Sequence, residues 1–451
     1  MRTLIQGCAV ATVDAVGTEY ADGHILVEDN RIVAVSEGAA PSDVRPDRVV
    51  DGAGCLATPG LVNTHHHLYQ WATRGLAQQQ NLFGWLTELY PIWARIDADV
   101  VGAAAGAGLA WLVRTGCTTT TDHHYVFPRD GGDVFEAEVA AARQIGLRFH
   151  PCRGSMDLGQ SAGGLPPDHV VEDKDAALSA TAEAIDRYHD PSADSMLRIA
   201  VAPCSPFSVT ADLMREAAAL ARDRGVRLHT HLAETVEEEA FCKESFGCSP
   251  AEYVEELGWL GNDVWLAHCV HLDDKSISKL AETGTGVAHC ATSNARLGAG
   301  IAAVTSMLDS GVAVGLGVDG SASNEEGSIA AELHAALLVA RLRGGPAALT
   351  ARQVLALGTI GGARCLGRGD EIGSLEPGKL ADIALWRLDG VAHAGIEDPV
   401  AALVLGSRPP LKQLLVNGTA VVEDDVLLTA DESQLAADAA RVARRLHSRV
   451  G

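Results

Sequence analysis

Short apolar, β-branched segments alternate with longer segments of helical spacing through the middle of the chain. Asp212–Arg224 and Ile329–Leu342 are examples of the helical pattern. Eight strand–helix units in one run predict an α/β fold, a (β/α)8 TIM-type barrel. An open nucleotide-binding sheet would carry a glycine fingerprint after its first strand, and this chain has none there. The eight predicted strands are Pro59–Asn63, Cys117–Asp122, Leu147–Cys152, Leu197–Ala202, Val226–His231, Val264–Cys269, Gly286–Cys290 and Val314–Asp319.

Both ends of the chain show strand patterns that are too short to bury their own apolar faces. Near the amino terminus, Ile25–Val27 and Ile32–Val35 flank a polar turn, which indicates a hairpin. Near the carboxyl terminus, Ile383–Leu388 precedes Leu414–Val422, which is divided by Asn417-Gly418, a dipeptide that favours a two-residue turn. We therefore predict that the two ends join into one small, discontinuous β-sandwich.

This interpretation divides the chain into three parts. Residues 59–368 form the barrel, residues 1–58 form the first part of the sandwich, and residues 369–451 form its second part with a C-terminal helix. Glu432–Val450 has helical apolar spacing, so we predict that this closing helix lies on the surface.

The charge balance is strongly acidic and limits the kinds of partner. Against 59 Asp and Glu residues there are 35 Lys and Arg residues, a formal net charge of −24. A surface of this sign repels phosphate backbones, so we expect no nucleic-acid partner. The ten cysteines are dispersed and form no CxxC pair, which indicates reduced thiols. No signal-peptide core or long apolar run is present, so we expect a cytoplasmic location and no membrane partner.

Residue types that bind metals gather at the carboxyl ends of the predicted strands, where barrel enzymes place their active sites. The clusters are His65–His67, Asp122–His124, His229–His231, His268 and Asp319. His65 and His67 are two residues apart, so they point to one face of an extended backbone, while His66 points away. A single strand-end histidine more often packs in the core, but the whole set predicts a metal site. Imidazoles with a carboxylate suit zinc, with Fe²⁺ and Mn²⁺ as alternatives.

The same positions resemble the amidohydrolase superfamily, and the similarity extends over essentially the whole chain. Within it, the chain resembles the branch of nucleobase deaminases and triazine hydrolases, above all its members that act on 8-oxoguanine. The superfamily resemblance rests on Thr58–His67, His231–Glu234, His268-Cys269, Gly317–Asp319 and Leu375–Asp382. The resemblance to the branch rests on His65–Gln70, Leu82–Trp93, Gly159–Pro167, Ala202–Ser208 and Gly320–Glu325.

The resemblance implies a role for each matched residue. One divalent metal ion, in the first place Zn²⁺, would be bound by His65, His67, His231 and Asp319. Proton transfer and orientation of the attacking water would fall to the catalytic residues Glu234, His268 and Asp319. Gln70 would contact a carbonyl or ring nitrogen of the substrate. Trp85 is a candidate stacking face and Cys204 a candidate lining residue, although each could simply pack in the core.

One departure from other branches bears on the number of metal ions. A carboxylated lysine on strand four bridges two metals in those branches, and Leu197–Ala202 contains no lysine. The resemblance therefore implies a mononuclear centre.

The function that follows is zinc-dependent hydrolytic deamination of an aminated heterocycle, with a small molecule as the partner. The resemblance implies conversion of 8-oxoguanine to urate and ammonia, or the same reaction on a related purine or pterin. Hydrolysis of a chloro- or amino-s-triazine is the alternative. The presence of both Glu234 and Asp319 leans against loss of chloride, because a departing amine needs protons and a departing chloride does not. A non-catalytic scaffold is a remote alternative, since all four ligand positions are filled. A homo-oligomer is compatible with the resemblance.

Overall fold

The computed structural model describes residues 1–448 and begins with a strand-rich segment. Its strands are β1 (Arg2–Ala11), β2 (Glu19–Glu28), β3 (Arg31–Glu37), β4 (Arg48–Asp51) and β5 (Cys55–Pro59). β2 and β3 pair antiparallel around Asp29-Asn30, which confirms the predicted hairpin. Asp29 adopts a φ of 53°, the left-handed conformation that a tight hairpin turn requires.

The central part of the chain contains ten further strands, and eight of them close into a barrel. They are β6 (Leu61–Asn63), β7 (His66–His67), β8 (Cys117–His124), β9 (Arg148–Ser155), β10 (Ala200–Pro203), β11 (Arg227–Leu232), β12 (Val264–His268), β13 (Gly286–His289), β14 (Val314–Leu316) and β15 (Asp319–Gly320). The barrel order is β6-β8-β9-β10-β11-β12-β13-β14, with every pair parallel. β7 and β15 pair with each other beyond the ends of β6 and β14. The predicted TIM-type barrel is confirmed.

Three strand boundaries differ from the sequence prediction for identifiable reasons. The first predicted strand is shared between β5 and β6 and changes partners at Gly60, whose N–H donates to the Asp382 carbonyl at 2.9 Å. The fourth begins at Ala200, because Leu197 makes only an isolated bridge to Phe149. The eighth is interrupted between Leu316 and Asp319, so Asp319 belongs to the separate pair of β7 and β15.

Helices lie in the segments that connect and follow the barrel strands. They are α1 (Leu82–Trp93), α2 (Ala98–Arg114), α3 (Val134–Ile145), α4 (Lys174–Tyr188), α5 (Ala211–Arg224), α6 (Val236–Phe246), α7 (Pro250–Glu256), α8 (Asp274–Thr283), α9 (Ala291–Arg296), α10 (Val304–Asp309), α11 (Ile329–Gly344), α12 (Ala351–Ala356) and α13 (Gly362–Cys365). Short 3₁₀ helices span Leu68–Thr73, Gln160–Ala162 and Asp168–Val170, and a π-helical turn spans Leu357–Gly361. The two helices predicted as examples are confirmed as α5 and α11.

The carboxyl-terminal strands complete the sheet that the amino terminus begins. They are β16 (Ile383–Arg387), β17 (Leu411–Val416), β18 (Thr419–Glu423) and β19 (Val426–Leu427). The sheet has nine strands in the order β19-β18-β17-β16-β5-β1-β2-β3, with β4 beside β1. It is one continuous sheet drawn from both ends of the chain. Some of its apolar side chains, among them Trp386 and Leu414, belong to the large core shared with the barrel, while a second core includes Ile5, Val10, Ile25, Ile383, Leu385 and Leu415.

Two last helices close the fold. α14 (Pro399–Leu405) precedes β17, and α15 (Glu432–Ser448) lies against α2. The helix predicted over Glu432–Val450 is therefore present up to Ser448, and its last two positions lie outside the described residues. No helix within residues 1–448 is long and apolar enough to cross a bilayer.

Candidate metal centre and active site

Four side chains from separate parts of the barrel rim meet at the carboxyl end of the barrel. His65 lies between β6 and β7, His67 on β7, His231 on β11 and Asp319 on β15, and all are at least nine-tenths buried. Asp319 Oδ1 lies 3.3 Å from His65 Nε2 and 3.2 Å from His67 Nε2. His67 Nε2 is 3.1 Å from His231 Nε2. The four residues that the resemblance implied as ligands are thus brought together.

In His67 and His231, the ring nitrogen that points away from the centre is hydrogen-bonded to a backbone carbonyl. That bond determines whether the nitrogen facing the centre carries a proton or a lone pair. His67 Nδ1 donates to the His123 carbonyl at 2.7 Å, and His231 Nδ1 donates to the Cys204 carbonyl at 2.6 Å. Since a neutral imidazole has one N–H and one lone pair, both Nε2 atoms present lone pairs. Burial holds the pKa of His231 well below its ordinary value, which keeps this ring neutral.

His65 is oriented through a second histidine. His229 Nδ1 donates to the Trp265 carbonyl at 2.8 Å, so His229 Nε2 accepts from His65 Nδ1 at 2.8 Å. His65 Nε2 is left as a lone pair that is buried and has no hydrogen-bond partner in the described part of the chain. His229, two residues before His231 on β11, therefore holds the His65 ring through its Nδ1 atom.

This arrangement fits a divalent cation. Three imidazole lone pairs and a carboxylate oxygen face one another across 3.1–3.3 Å, and lone pairs at that separation repel unless positive charge lies between them. Three nitrogens and one oxygen, each ligating imidazole held by a hydrogen bond on its other nitrogen, form a donor set that zinc commonly takes in proteins.

The Asp319 carboxylate is held in place by its own neighbours. Asp319 has a φ of 62°, in the left-handed region, and β15 pairs with β7 so that Asp319 stands opposite His66. Asp319 Oδ2 accepts from Ser293 Oγ at 2.6 Å, and Asp319 Oδ1 accepts from the Gly320 N–H at 2.7 Å. These bonds aim the carboxylate at the three imidazoles.

Glu234 and His268 lie beside the four candidate ligands and line a cavity next to them. Glu234 Oε2 is 3.5 Å from His268 Nε2, and His268 Nε2 is 3.9 Å from Asp319 Oδ2. Burial raises the pKa of the Glu234 carboxyl well above its ordinary value, and the charge of Asp319 adds to the effect. Glu234 Oε1 has no hydrogen-bond partner among the described residues. A buried carboxyl of this kind can hold a proton at neutral pH.

The three predicted substrate-binding residues also border this cavity, but they differ in which of their polar atoms are already hydrogen-bonded. Both amide atoms of Gln70 are buried and make no hydrogen bond within residues 1–448, so both polarities are available. The Trp85 Nε1–H donates to the Ala322 carbonyl at 3.1 Å, which leaves only the ring for contact. The Cys204 carbonyl is bound by His231, while its thiol lines the cavity.

The cavity is small. It measures about 30 Å³, and Leu82, Trp85 and Leu86 of α1 form part of its wall.

Two polar residues of the site were not assigned a role from the sequence. Asn294 Oδ1 accepts from His268 Nδ1 at 2.9 Å, and Ser293 binds Asp319. Both belong to α9, directly after β13, so their position beyond a barrel strand was the available signal. Neither residue type indicates by itself which side chain it will orient.

Comparison with known proteins places the chain in a family. A model described as the Amidohydrolase family matches residues 56–421. The chain belongs to the amidohydrolase family. Because proteins similar to it over nearly the whole chain are named deaminases and hydrolases, this amidohydrolase is an enzyme, a hydrolase.

This amidohydrolase is similar over most of its length to two deaminases and to a chlorohydrolase of known structure. It is 42% identical to the 8-oxoguanine deaminase of Pseudomonas aeruginosa over 92% of this chain and 93% of that protein. It is 38% identical to an isoxanthopterin deaminase from an unknown prokaryotic organism, over 98% and 97% of the two chains. The crystal structure of atrazine chlorohydrolase from Arthrobacter aurescens TC1, complexed with zinc, superposes with a TM-score of 0.93 at 36% identity, covering 98% of this chain and 100% of that one.

Proposed function

We propose that this amidohydrolase removes an amino group hydrolytically from 8-oxoguanine or a closely related purine or pterin, releasing ammonia. The observation that carries the proposal is the buried Glu234 carboxyl, with its raised pKa, directly beside the His65, His67, His231 and Asp319 centre. The similarity to an 8-oxoguanine deaminase over nine-tenths of both chains supports this choice of ring.

The centre would hold one divalent ion, with zinc first because of the donor set and the zinc-bound relative. When bound, the ion supplies an activated water at neutral pH. Asp319 Oδ2 can take up the proton that this water loses. His268, held by Asn294, lies near enough to hydrogen-bond the attacking oxygen.

Glu234 performs the complementary proton transfer. With its pKa raised, the carboxyl can hold a proton at neutral pH and would give that proton to the ring nitrogen beside the amine-bearing carbon. This prevents negative charge from accumulating on the ring during attack. The proton that Asp319 took from the water would then pass to the amine as the carbon–nitrogen bond breaks, so that neutral ammonia leaves. Glu234 would regain a proton from the hydroxyl group on the attacked carbon as the ring carbonyl forms.

Gln70 is the residue proposed to recognise the ring. Its amide donates and accepts, and a buried amide that makes no hydrogen bond to residues 1–448 gains hydrogen bonds when a carbonyl or ring nitrogen enters. Trp85 would contact the ring face through its indole.

An ammonia-release screen tests the substrate class. The panel is 8-oxoguanine, guanine, isoxanthopterin, adenine, cytosine and aminated triazines, with chloride release from a chlorotriazine measured in parallel. We expect the highest kcat/KM with 8-oxoguanine or isoxanthopterin. Preferred release of chloride would establish the triazine alternative instead, which the structural similarity to atrazine chlorohydrolase makes the relevant competitor.

Glu234→Gln tests the proton-transfer role. Gln keeps the shape of the carboxyl but cannot deliver the proton, so we expect kcat to fall about 10²- to 10⁴-fold with metal content unchanged. Glu244→Gln, on the exposed side of α6, is the matched control and should retain wild-type turnover. Near wild-type kcat in Glu234→Gln would show that the carboxyl does not transfer the proton.

A further inference from the structure

A second buried glutamate lies directly behind Glu234. Glu238, in the first turn of α6, is completely buried. Its Oε1 accepts from the Ala233 N–H at 2.8 Å and its Oε2 from the Glu234 N–H at 2.9 Å. One carboxylate therefore binds two consecutive backbone amides at the end of β11.

The backbone at this point needs such support. Ala233 has a φ of 50°, a left-handed conformation that costs free energy for a residue with a Cβ. The chain there leaves β11 at Leu232 and starts α6 after Thr235, whose Oγ1 accepts from the Glu238 N–H at 3.4 Å. Neither amide of Ala233 and Glu234 belongs to the barrel ladder, and buried amides without partners are strongly destabilising.

The direction in which the Glu234 side chain points depends on this backbone. Glu234 Oε1 has no partner within the described residues, and Oε2 has only the 3.5 Å contact with His268. The carboxyl is thus oriented mainly from its own Cα, rather than by hydrogen bonds at its tip.

We infer that Glu238 is a positioning residue that fixes Glu234 for proton transfer by clamping the Ala233 and Glu234 amides. This inference rests on the proposed function of Glu234. The residue type matters, because a clamp on two N–H donors needs two acceptor oxygens. Gln would place an NH₂ group against one of the amides, and Asp is one methylene shorter and reaches only one of them.

Kinetics of Glu238→Gln and Glu238→Asp test the role on whichever ring the screen identifies. We expect kcat to fall roughly 10- to 100-fold, with KM within about twofold and metal content unchanged. Glu239→Gln is the matched control, since Glu239 is the next residue of α6 and its carboxylate pairs with Lys243 at 3.6 Å. A loss confined to KM, or a loss of metal, would overturn the inference.

A double-mutant cycle separates positioning from general damage. If Glu238 acts through Glu234, then the Glu234→Gln/Glu238→Gln double variant should turn over no more slowly than Glu234→Gln alone. If the loss of kcat in the double variant equals the product of the two single-variant losses, Glu238 acts independently of Glu234 and the inference is overturned.

Amide hydrogen exchange tests the clamp without any substrate. The Ala233 and Glu234 amides should exchange at least tenfold faster in Glu238→Gln and in Glu238→Asp than in Glu239→Gln. Unchanged exchange overturns the clamp. Faster exchange in a protein that deaminates none of the rings would leave the clamp standing and reject the proposed function instead.

Discussion

Four non-glycine residues at the carboxyl-end rim of the barrel have left-handed backbone conformations. The φ angles are 50° at Ala233, 70° at His268, 51° at Cys269 and 62° at Asp319. Each turns the chain sharply at the rim of the barrel, so that His268, Asp319 and the neighbouring Glu234 point into the cavity. Strained backbone of this kind persists where surrounding contacts hold it, as the Glu238 clamp and the Ser293 bond do here.

Gly320 controls the space that Gln70 occupies. A Cβ at Gly320 would lie 1.7 Å from Gln70 Oε1 and 2.4 Å from Gln70 Cδ. Gly320→Ala should therefore displace the amide and lower kcat/KM about 10- to 100-fold, with metal content unchanged. Gly390→Ala, which meets no atom within 4 Å, is the control. If steady-state kinetics give wild-type kcat and KM for Gly320→Ala, Gln70 does not recognise the ring.

Glu138 makes the stability of the protein depend on pH. His124 Nε2 donates to the Val126 carbonyl at 3.0 Å, so its Nδ1 lone pair faces Glu138 Oε2 at 3.1 Å and needs a protonated carboxyl there. Burial raises the pKa of Glu138 from its ordinary 4.5 to about 8. The folded state therefore keeps a proton that the unfolded state loses, and this contribution to stability declines as pH rises from about 4.5 to about 8.

Glu138→Gln removes that pH dependence while keeping a donor for His124. We expect its free energy of unfolding, relative to the wild type, to rise between pH 5 and pH 8. Denaturant titrations at both pH values measure the difference. A difference that stays constant or falls would mean that Glu138 is ionised in the folded protein.

The terminal sheet contacts the barrel through the close packing of a few elements. Trp386 of β16 is fully buried, and its Nε1–H donates to Thr58 Oγ1 of β5 at 2.9 Å. Its ring lies against Gly116, the residue before β8, where an added Cβ would be 2.0 Å from Trp386 Cη2. The start of β8 in the barrel is thereby packed against β5 and β16 of the sheet.

Gly116→Ala tests this joint. Gly116 has a φ of 87°, so Ala adds backbone strain to the clash with Trp386, and we expect the free energy of unfolding to fall by about 2–5 kcal/mol. Gly225→Ala is the control, because Gly225 has a φ of 65° and meets no atom within 4 Å. Its cost should be near 1 kcal/mol, the strain alone. Equal losses in the two variants in urea titrations would show that the Trp386 contact adds nothing.

Across the whole molecule, the barrel is tied to the carboxyl-terminal segment by a buried ion pair. Arg148 of β9 donates from Nε and Nη2 to the two oxygens of Asp382, at 3.2 and 3.1 Å, and both side chains are almost completely buried. Asp382 Oδ1 also accepts from the Asn417 N–H at 2.7 Å, in the turn between β17 and β18. The pair therefore connects three segments that are far apart in sequence.

Asp382→Ala should be severely destabilising. It leaves the Arg148 guanidinium buried without its counter-ion, and losses of about 3–5 kcal/mol are typical of such a change. Asp99→Ala removes an exposed acidic partner of Arg441 and Arg445 and should cost no more than about 1 kcal/mol. Thermal and urea unfolding of both variants measure the contrast, and similar values for the two would reject the structural role of the buried pair.

The sequence by itself determined the eight-stranded barrel, the hairpins at both ends and the family, because strand alternation, turn dipeptides and motif spacing are local properties of the chain. It also placed His65, His67, His231 and Asp319 at strand ends, where the barrel topology brings them near one another. Only the tertiary structure decided which lone pairs face the centre, since that depends on carbonyls such as those of His123 and Cys204 across neighbouring strands. The continuous nine-stranded sheet and the Glu238 clamp were decided there too, because they arise from hydrogen bonds whose partners are chosen by folding and not by spacing along the chain.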